Sequence, residues 1–226
     1  MIDFAAALKN NTILDFHTHR MQHADDHEII EIISLHLGQD RPHQFYTVGM
    51  HPWWTERIPE NTQQEALEVL LSDPYCLAMG EMGLDKLKGP PLNRQIEILS
   101  SLLSIADRSN KPVIIHCVRA FDPLIQLKKQ YPGIPNWCVH GYGRHLTLAK
   151  QLIDQGFYLS LMPGMPSEKL TELLTHLPKD RIFLETDSMP DISITEVYQN
   201  ASSLLAKEIS HLCDQINQNA INFFYT

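Results

Sequence analysis

A closed (β/α) barrel is the fold class this sequence predicts, and three observations predict it. Short apolar runs alternate with segments of helical period along most of the chain. The runs are near-continuously apolar, as parallel strands buried on both faces are. At 226 residues there is material for one sizeable core, and barrels of this length form one domain, read here as residues 1–226. An open doubly wound sheet ranks second, because no glycine-rich phosphate loop follows the first strand.

Thr12-Ile13-Leu14 opens the first strand, which runs into Asp15-Phe16-His17-Thr18-His19. Residues 22–28 are polar, and residues 29–37 form an apolar patch that reads equally as strand or short helix. The barrel is therefore expected to be distorted near its second unit. Residues 44–50 form a strand followed by His51-Pro52-Trp53-Trp54. Thr62-x-x-Glu65 reads as a capping box opening a helix to Leu71. A strand over 75–79 ends at Gly80-Glu81. Pro90 or Pro91 then starts a helix with Leu92, Ile96, Leu99, Leu103 and Ala106 on one face.

Lys111-Pro112 ends that helix, and Val113-Ile114-Ile115 leads to His116. Asp122-Pro123 suits the N-cap and first position of the next helix. Trp137-Cys138-Val139 leads to His140. A helix over 146–154 stops at Gly156, a C-terminal cap glycine. A strand spans 157–161, and Ser167 caps a helix to His176. The last strand, 181–184, ends in Glu185-Thr186-Asp187, and from Ile194 the chain reads as helical, most strongly over 202–216.

A formal charge of −9 argues against binding nucleic acid through a broad basic surface. It leaves room for a nucleic-acid enzyme whose carboxylates hold cations, since bound ions reverse the local field. No run reaches the roughly 18–20 apolar residues of a membrane span, and the first residues lack a secretory pattern. Cys76, Cys117, Cys138 and Cys213 are far apart and form no Cys-x-x-Cys pair. A reducing, cytoplasmic setting with no membrane association and no obligate protein partner is expected.

His17 and His19 point to the same face of a strand. Glu81, His116, His140 and Asp187 each follow a later apolar run. In a barrel, the carboxyl ends of all strands share one face, where active sites are assembled. These side chains exceed the needs of one tetrahedral ion. They suit two divalent ions about 3.5–4 Å apart with Glu81 as the bridging carboxylate. His17, His19 and Asp187 then complete one ion, and His116 with His140 the other. Asp187 also suits a general base. The imidazoles favour Zn²⁺ or Mn²⁺ over Mg²⁺ alone. Arg119 and Arg144 follow the strands bearing His116 and His140, as phosphate clamps would. His51 suits either a substrate phosphate or the turn it begins. Trp53 and Trp54 suit base stacking or a hydrophobic cover. Asp85 is expected to order its loop or a ligand, and His23, His27, His43, His145, His176 and His211 read as surface or structural residues.

Several blocks together resemble the TatD-like metal-dependent hydrolases of the amidohydrolase superfamily. They are Asp15-Phe16-His17-Thr18-His19, Val48-Gly49-Met50-His51-Pro52, Met79-Gly80-Glu81-Met82-Gly83-Leu84-Asp85, Val113-Ile114-Ile115-His116, Val139-His140 and Leu184-Glu185-Thr186-Asp187. Arg94, Gln95 and the segment near Asn219 extend the likeness. The resemblance implies a distorted TIM barrel and two divalent ions. It also implies hydrolysis of phosphodiester bonds in DNA, often from the 3′ end, with His17, His19, Glu81, His116, His140 and Asp187 as ligands.

The chain departs from the pattern in three places. The segment between His19 and Val48 is short, Gly141-Tyr142-Gly143-Arg144 replaces a Cys-Phe-Ser-Gly-like block, and Ser188-Met189-Pro190-Asp191 replaces a Pro-Tyr-Leu-like run. Hydrolysis of a small amide, lactone or phosphoester therefore remains an alternative, with a metal-binding protein lacking turnover as a second.

Overall fold

Eight strands make one sheet in the order β1 to β8. They are β1 (Ile13–Thr18), β2 (Ile29–His36), β3 (Tyr46–Gly49), β4 (Cys76–Asp85), β5 (Val113–Val118), β6 (Trp137–Tyr142), β7 (Phe157–Leu161) and β8 (Ile182–Leu184). The helices are α1 (Phe4–Ala7), α2 (Asn61–Leu71), α3 (Leu92–Arg108), α4 (Phe121–Gln130), α5 (Leu146–Asp154), α6 (Ser167–His176), α7 (Ile194–Leu205) and α8 (Ile209–Tyr225). This computed structural model describes residues 3–23, 26 and 28–225. His27, one of the histidines read as structural, lies outside the described residues. The registered strand pairs are parallel. A parallel bridge between Thr18 and Asp187 joins β1 to the residues after β8, as a barrel closes. By contact density the chain falls into two units: residues 1–33 with 140–226, and residues 34–139.

In the first unit, alternation along β1 separates two tasks. Leu14 and Phe16 are fully buried, and Phe16 stacks on Phe183 of β8 with ring centroids 3.8 Å apart. Phe223 of α8 meets both rings edge-on, at 5.5 and 5.7 Å. Polar bonds fix the same helices to the strands. The Tyr198 hydroxyl on α7 donates to the Leu14 carbonyl at 3.0 Å. Asn217 Nδ2 donates to the Thr12 carbonyl at 2.9 Å. Asn219 Nδ2 reaches the carbonyls of Lys179 and Ile182 at 2.7 and 2.9 Å. Each bond gives a backbone carbonyl at or near the start of a strand a side-chain donor.

The second unit is built around β4, every residue of which is buried. Its glycines permit unusually close backbone approach. A Cβ on Gly83 would lie 1.9 Å from the His116 carbonyl oxygen, and one on Gly49 would lie 2.4 Å from that of Glu81. Helix α3 covers these strands with Ile98, Leu99, Leu102, Leu103, Ile105 and Ala106.

The ambiguous patch is strand β2, so the doubtful strand is real. No helix occurs in the described residues between β1 and β2 or between β2 and β3, which makes this the shortened part of the barrel. Several expected boundaries move. Strand β4 continues through Glu81 to Asp85 instead of ending before Glu81, since the Gly80 and Gly83 sites allow the ladder to continue. Helix α2 is capped at Glu60, whose N–H donates to Gln63 Oε1 at 3.0 Å, not through Thr62 and Glu65. Ala120 and Pro166, not Asp122 and Ser167, precede α4 and α6. The last helical stretch breaks at Ala206, which takes a left-handed φ of +49°.

Gly83→Ala forces a Cβ into the backbone of β5, so a loss of about 2–4 kcal/mol of unfolding free energy is expected. Urea denaturation of the two proteins measures it, and an unchanged midpoint would refute the close approach.

Candidate metal centre

The first unit gathers His17, His19, His140, Glu185 and Asp187 into two overlapping groups. His17, His19 and Asp187 form one, and His140, Glu185 and Asp187 the other, with donor atoms inside each group within 4.8 Å of one another. The His17 ring is 5.2 Å from that of His19 and stacks on His140 at 4.1 Å. Asp187 is positioned by its backbone. Its N–H donates to the His17 carbonyl at 2.9 Å, and its carbonyl accepts from the His19 N–H at 3.1 Å. It is held there at φ +54°, a conformation that costs a non-glycine residue about 1–3 kcal/mol and persists only where surroundings enforce it. Its Oδ1 lies 3.6 Å from His19 Nε2.

Asp15 braces this seam. Its buried carboxylate accepts from the Thr186 N–H at 3.0 Å and from the Thr186 hydroxyl at 2.5 Å. Burial pushes its carboxyl well above the ordinary range, more than the Thr186 bonds pull it down. Glu185, which the sequence reading did not single out, is fully buried. Its Oε1 accepts from the Gly141 N–H at 2.7 Å and stands 3.5 Å from His140 Nδ1. The signal that was available is its place two residues before Asp187, where an extended chain returns to the same face.

The second unit gathers His51, Glu81 and His116. Glu81 Oε1 stands 2.9 Å from His116 Nδ1 and 3.1 Å from His51 Nε2. His51 Nδ1 accepts from the Trp53 N–H at 3.1 Å, which leaves the ring proton on Nε2, facing Glu81. On its other side His116 Nε2 meets Asp85 Oδ2 at 3.2 Å. The same oxygen accepts from Trp53 Nε1 at 2.7 Å, and Oδ1 accepts from the N–H groups of Leu87 and Lys88 at 2.8 and 3.1 Å. Burial alone would raise the Asp85 carboxyl, but these donors outweigh it and hold it below the ordinary range. Asp85 thus orders both its loop and His116. Gln95 fixes the same loop, accepting from the Asp85 N–H at 2.7 Å and reaching the carbonyls of Asp85, Lys88 and Pro90.

Among the sequence-predicted residues, His17, His19, His140 and Asp187 come together in the first unit, and Glu81 and His116 in the second, with His51 beside them. His51 begins its turn and also faces Glu81. Arg119, directly after β5, and Arg144, after β6, are both exposed. Trp53 is tied to Asp85 with Lys88 Nζ 3.5 Å above its ring, whereas Trp54 is 61% exposed. Each group offers imidazole nitrogens and carboxylate oxygens within reach of a single centre; two of the groups are mostly buried, whereas in His17–His19–Asp187 His17 is buried and His19 exposed. That donor set fits a divalent ion such as Zn²⁺ or Mn²⁺.

A family model described as TatD related DNase matches residues 6–224. The chain belongs to the TatD related DNase family. It is 33% identical over 165 residues to the 3′-5′ ssDNA/RNA exonuclease TatD of Edwardsiella piscicida, a match covering 69% of this chain and 62% of that protein. It is 26% identical over 206 residues to the uncharacterized metal-dependent hydrolase YjjV of Escherichia coli, covering 85% of this chain and 79% of that one. The crystal structure of E. coli YjjV, a TatD homologue, superposes with a TM-score of 0.77 at 21% identity, covering 96% of this chain and all of that one. A TatD family hydrolase from Entamoeba histolytica superposes with a TM-score of 0.68 at 18% identity, over 80% of this chain and 74% of that one. These likenesses establish the TatD-type barrel as the fold.

Removing Asp85 leaves His116 without the carboxylate on its far nitrogen. Asp85→Ala is expected to weaken Zn²⁺ or Mn²⁺ binding by about 10–100-fold. Titration against a metal-buffered indicator measures the change, and equal affinities would exclude the orienting role.

Proposed function

We propose that this chain is one metal-dependent hydrolase domain that cleaves phosphodiester bonds at DNA ends or in short oligonucleotides. The observation that carries the reading is the pair of His-carboxylate groups, His17–His19–Asp187 and His51–Glu81–His116, in a chain of the TatD related DNase family. The family relative from Edwardsiella piscicida, named as a 3′-5′ exonuclease on single-stranded DNA and RNA, supports the substrate class.

His17, His19, Glu81, His116, His140 and Asp187 would hold two divalent ions, with Glu81 as the shared carboxylate. Zn²⁺ and Mn²⁺ suit the donors best, and Mg²⁺ less well. Such ions supply Lewis acidity toward water and toward the phosphodiester oxygens. Asp187 takes the proton of the attacking water as general base. His51, donating to Glu81, orients that carboxylate. Arg119 and Arg144 neutralise substrate phosphate. The four free cysteines suit a reducing, cytoplasmic setting. No helix among the described residues is long and apolar enough to cross a membrane.

A second reading, hydrolysis of a small amide, lactone or phosphoester, is favoured by the net charge of −9 and the altered loop Gly141-Tyr142-Gly143-Arg144. Digestion of a 5′-labelled single-stranded oligonucleotide with Mg²⁺, Mn²⁺ or Zn²⁺ separates the two. A ladder shortening from the 3′ end, abolished by EDTA, is the expected result. An intact oligonucleotide from metal-loaded protein would favour the small substrate. Glu81→Ala is expected to lose both bound metal and activity, and full activity in that variant would remove Glu81 as the bridge. Asp187→Asn is expected to lower turnover by about 10²–10⁴-fold with the fold intact, checked by initial rates alongside circular dichroism.

A further inference from the structure

A cavity of about 290 Å³ opens at the amino end of β8, beside the connection from α7 to α8. Its floor is aliphatic, with Ile182 and Ile216 buried and Leu205 half-buried. Its mouth carries Lys179, Lys207 and His211, all exposed. None of its residues belongs to the metal-ligand groups.

The backbone brings the two lysines to one mouth. Left-handed Ala206 ends α7 and turns the chain, and the Lys207 N–H donates to the Ser202 carbonyl at 3.1 Å. The Lys179 carbonyl accepts from buried Asn219 at 2.7 Å. Both side chains line this mouth, and the nearness of Lys179 holds Lys207 below the ordinary lysine range. Among the described residues neither lysine has a carboxylate partner, and neighbouring Asp180 faces Arg181 at 3.9 Å. Helix α8 starts at Ile209, so the N–H groups of its first turn add positive potential at the same mouth.

Two unpaired cations over an aliphatic floor describe an amphiphilic anion. The charge count selects the head group. A phosphate monoester carries about −1.5 to −2 near pH 7 and matches both lysines, whereas a carboxylate leaves one unpaired. The volume is near the lower end of the range for small-molecule sites. We propose that this cavity binds a small phosphate monoester, its head between Lys179 and Lys207 and its apolar body against Ile182, Leu205 and Ile216. The proposal is independent of the nuclease reading.

Calorimetric titration of phenyl phosphate into the whole protein, with inorganic phosphate and phenol as separate titrants, tests it. All runs are made in excess EDTA, so that a metal-held phosphate gives no signal. One saturable event is expected, about tenfold or more tighter than for inorganic phosphate, with none for phenol. In the Lys179→Ala/Lys207→Ala double variant it should weaken about tenfold or more, while the unfolding midpoint stays put because both side chains are exposed. Absence of saturable binding, equal binding by the double variant, or inorganic phosphate binding as tightly as the monoester would each overturn the assignment.

Discussion

The seam between β1 and the residues after β8 is the constraint on which the rest depends. Asp187 exchanges backbone bonds with His17 and His19, and Asp15 locks the preceding residue through both the N–H and the hydroxyl of Thr186. A slip of one residue along β1 would turn His17 and His19 to the opposite face. The Asp15–Thr186 pair opposes that slip, because breaking it leaves a buried carboxylate unsatisfied. The left-handed backbone of Asp187 is the local cost of this arrangement, offset by the bonds on either side of it. On the other face of the same strand, the stack of Phe16 on Phe183 resists the slip by packing.

In the second unit the corresponding problem is to bury two carboxylates without losing stability. Glu81 and Asp85 are each 4% exposed, and a buried charge without partners is strongly unfavourable. Both are answered by donors fixed in place. Glu81 has two imidazoles, and Asp85 has an indole, two backbone N–H groups and His116. Gln95 holds the loop that supplies the backbone groups. The glycines of β3 and β4 belong to the same design, since a side chain at Gly49 would push β3 off the strand that carries Glu81, and one at Gly83 would push that strand off the one that carries His116.

The short front of the barrel is tolerated because backbone groups there find other partners. Residues 22 and 23 donate to buried Glu31, at 2.9 Å for the closest contact, in a stretch where no helix is described before β2. At the other end of the chain, α8 contributes more than cover. Its Asn217 and Asn219 reach the ends of β1 and β8, so a surface helix helps hold the seam it packs on.

The alternation of apolar runs and helical segments made the barrel legible, because strands buried on both faces have a composition that polar alternation cannot mimic. The imidazoles and carboxylates that follow the apolar runs were equally legible. Strands β4, β5 and β6 nonetheless continue past Glu81, His116 and His140, because the ladder between neighbouring strands and not the apolar run sets where a strand ends. Helix caps were read one or two residues away from their true positions, because Thr62, Asp122 and Ser167 are all competent caps and only the tertiary approach of each helix selects the residue that serves. The role of Glu185 was only hinted at by its place two residues before Asp187, as its burial beside His140 and the Gly141 N–H is set by the neighbouring strand. The sequence by itself determined seven of the eight strands and the chemistry that follows each apolar run, while the second strand and the strand order came from the fold. The tertiary structure alone decided that His51 faces Glu81, how Asp187 is twisted, and which lysines share one cavity mouth, because each depends on contacts between residues distant in the chain.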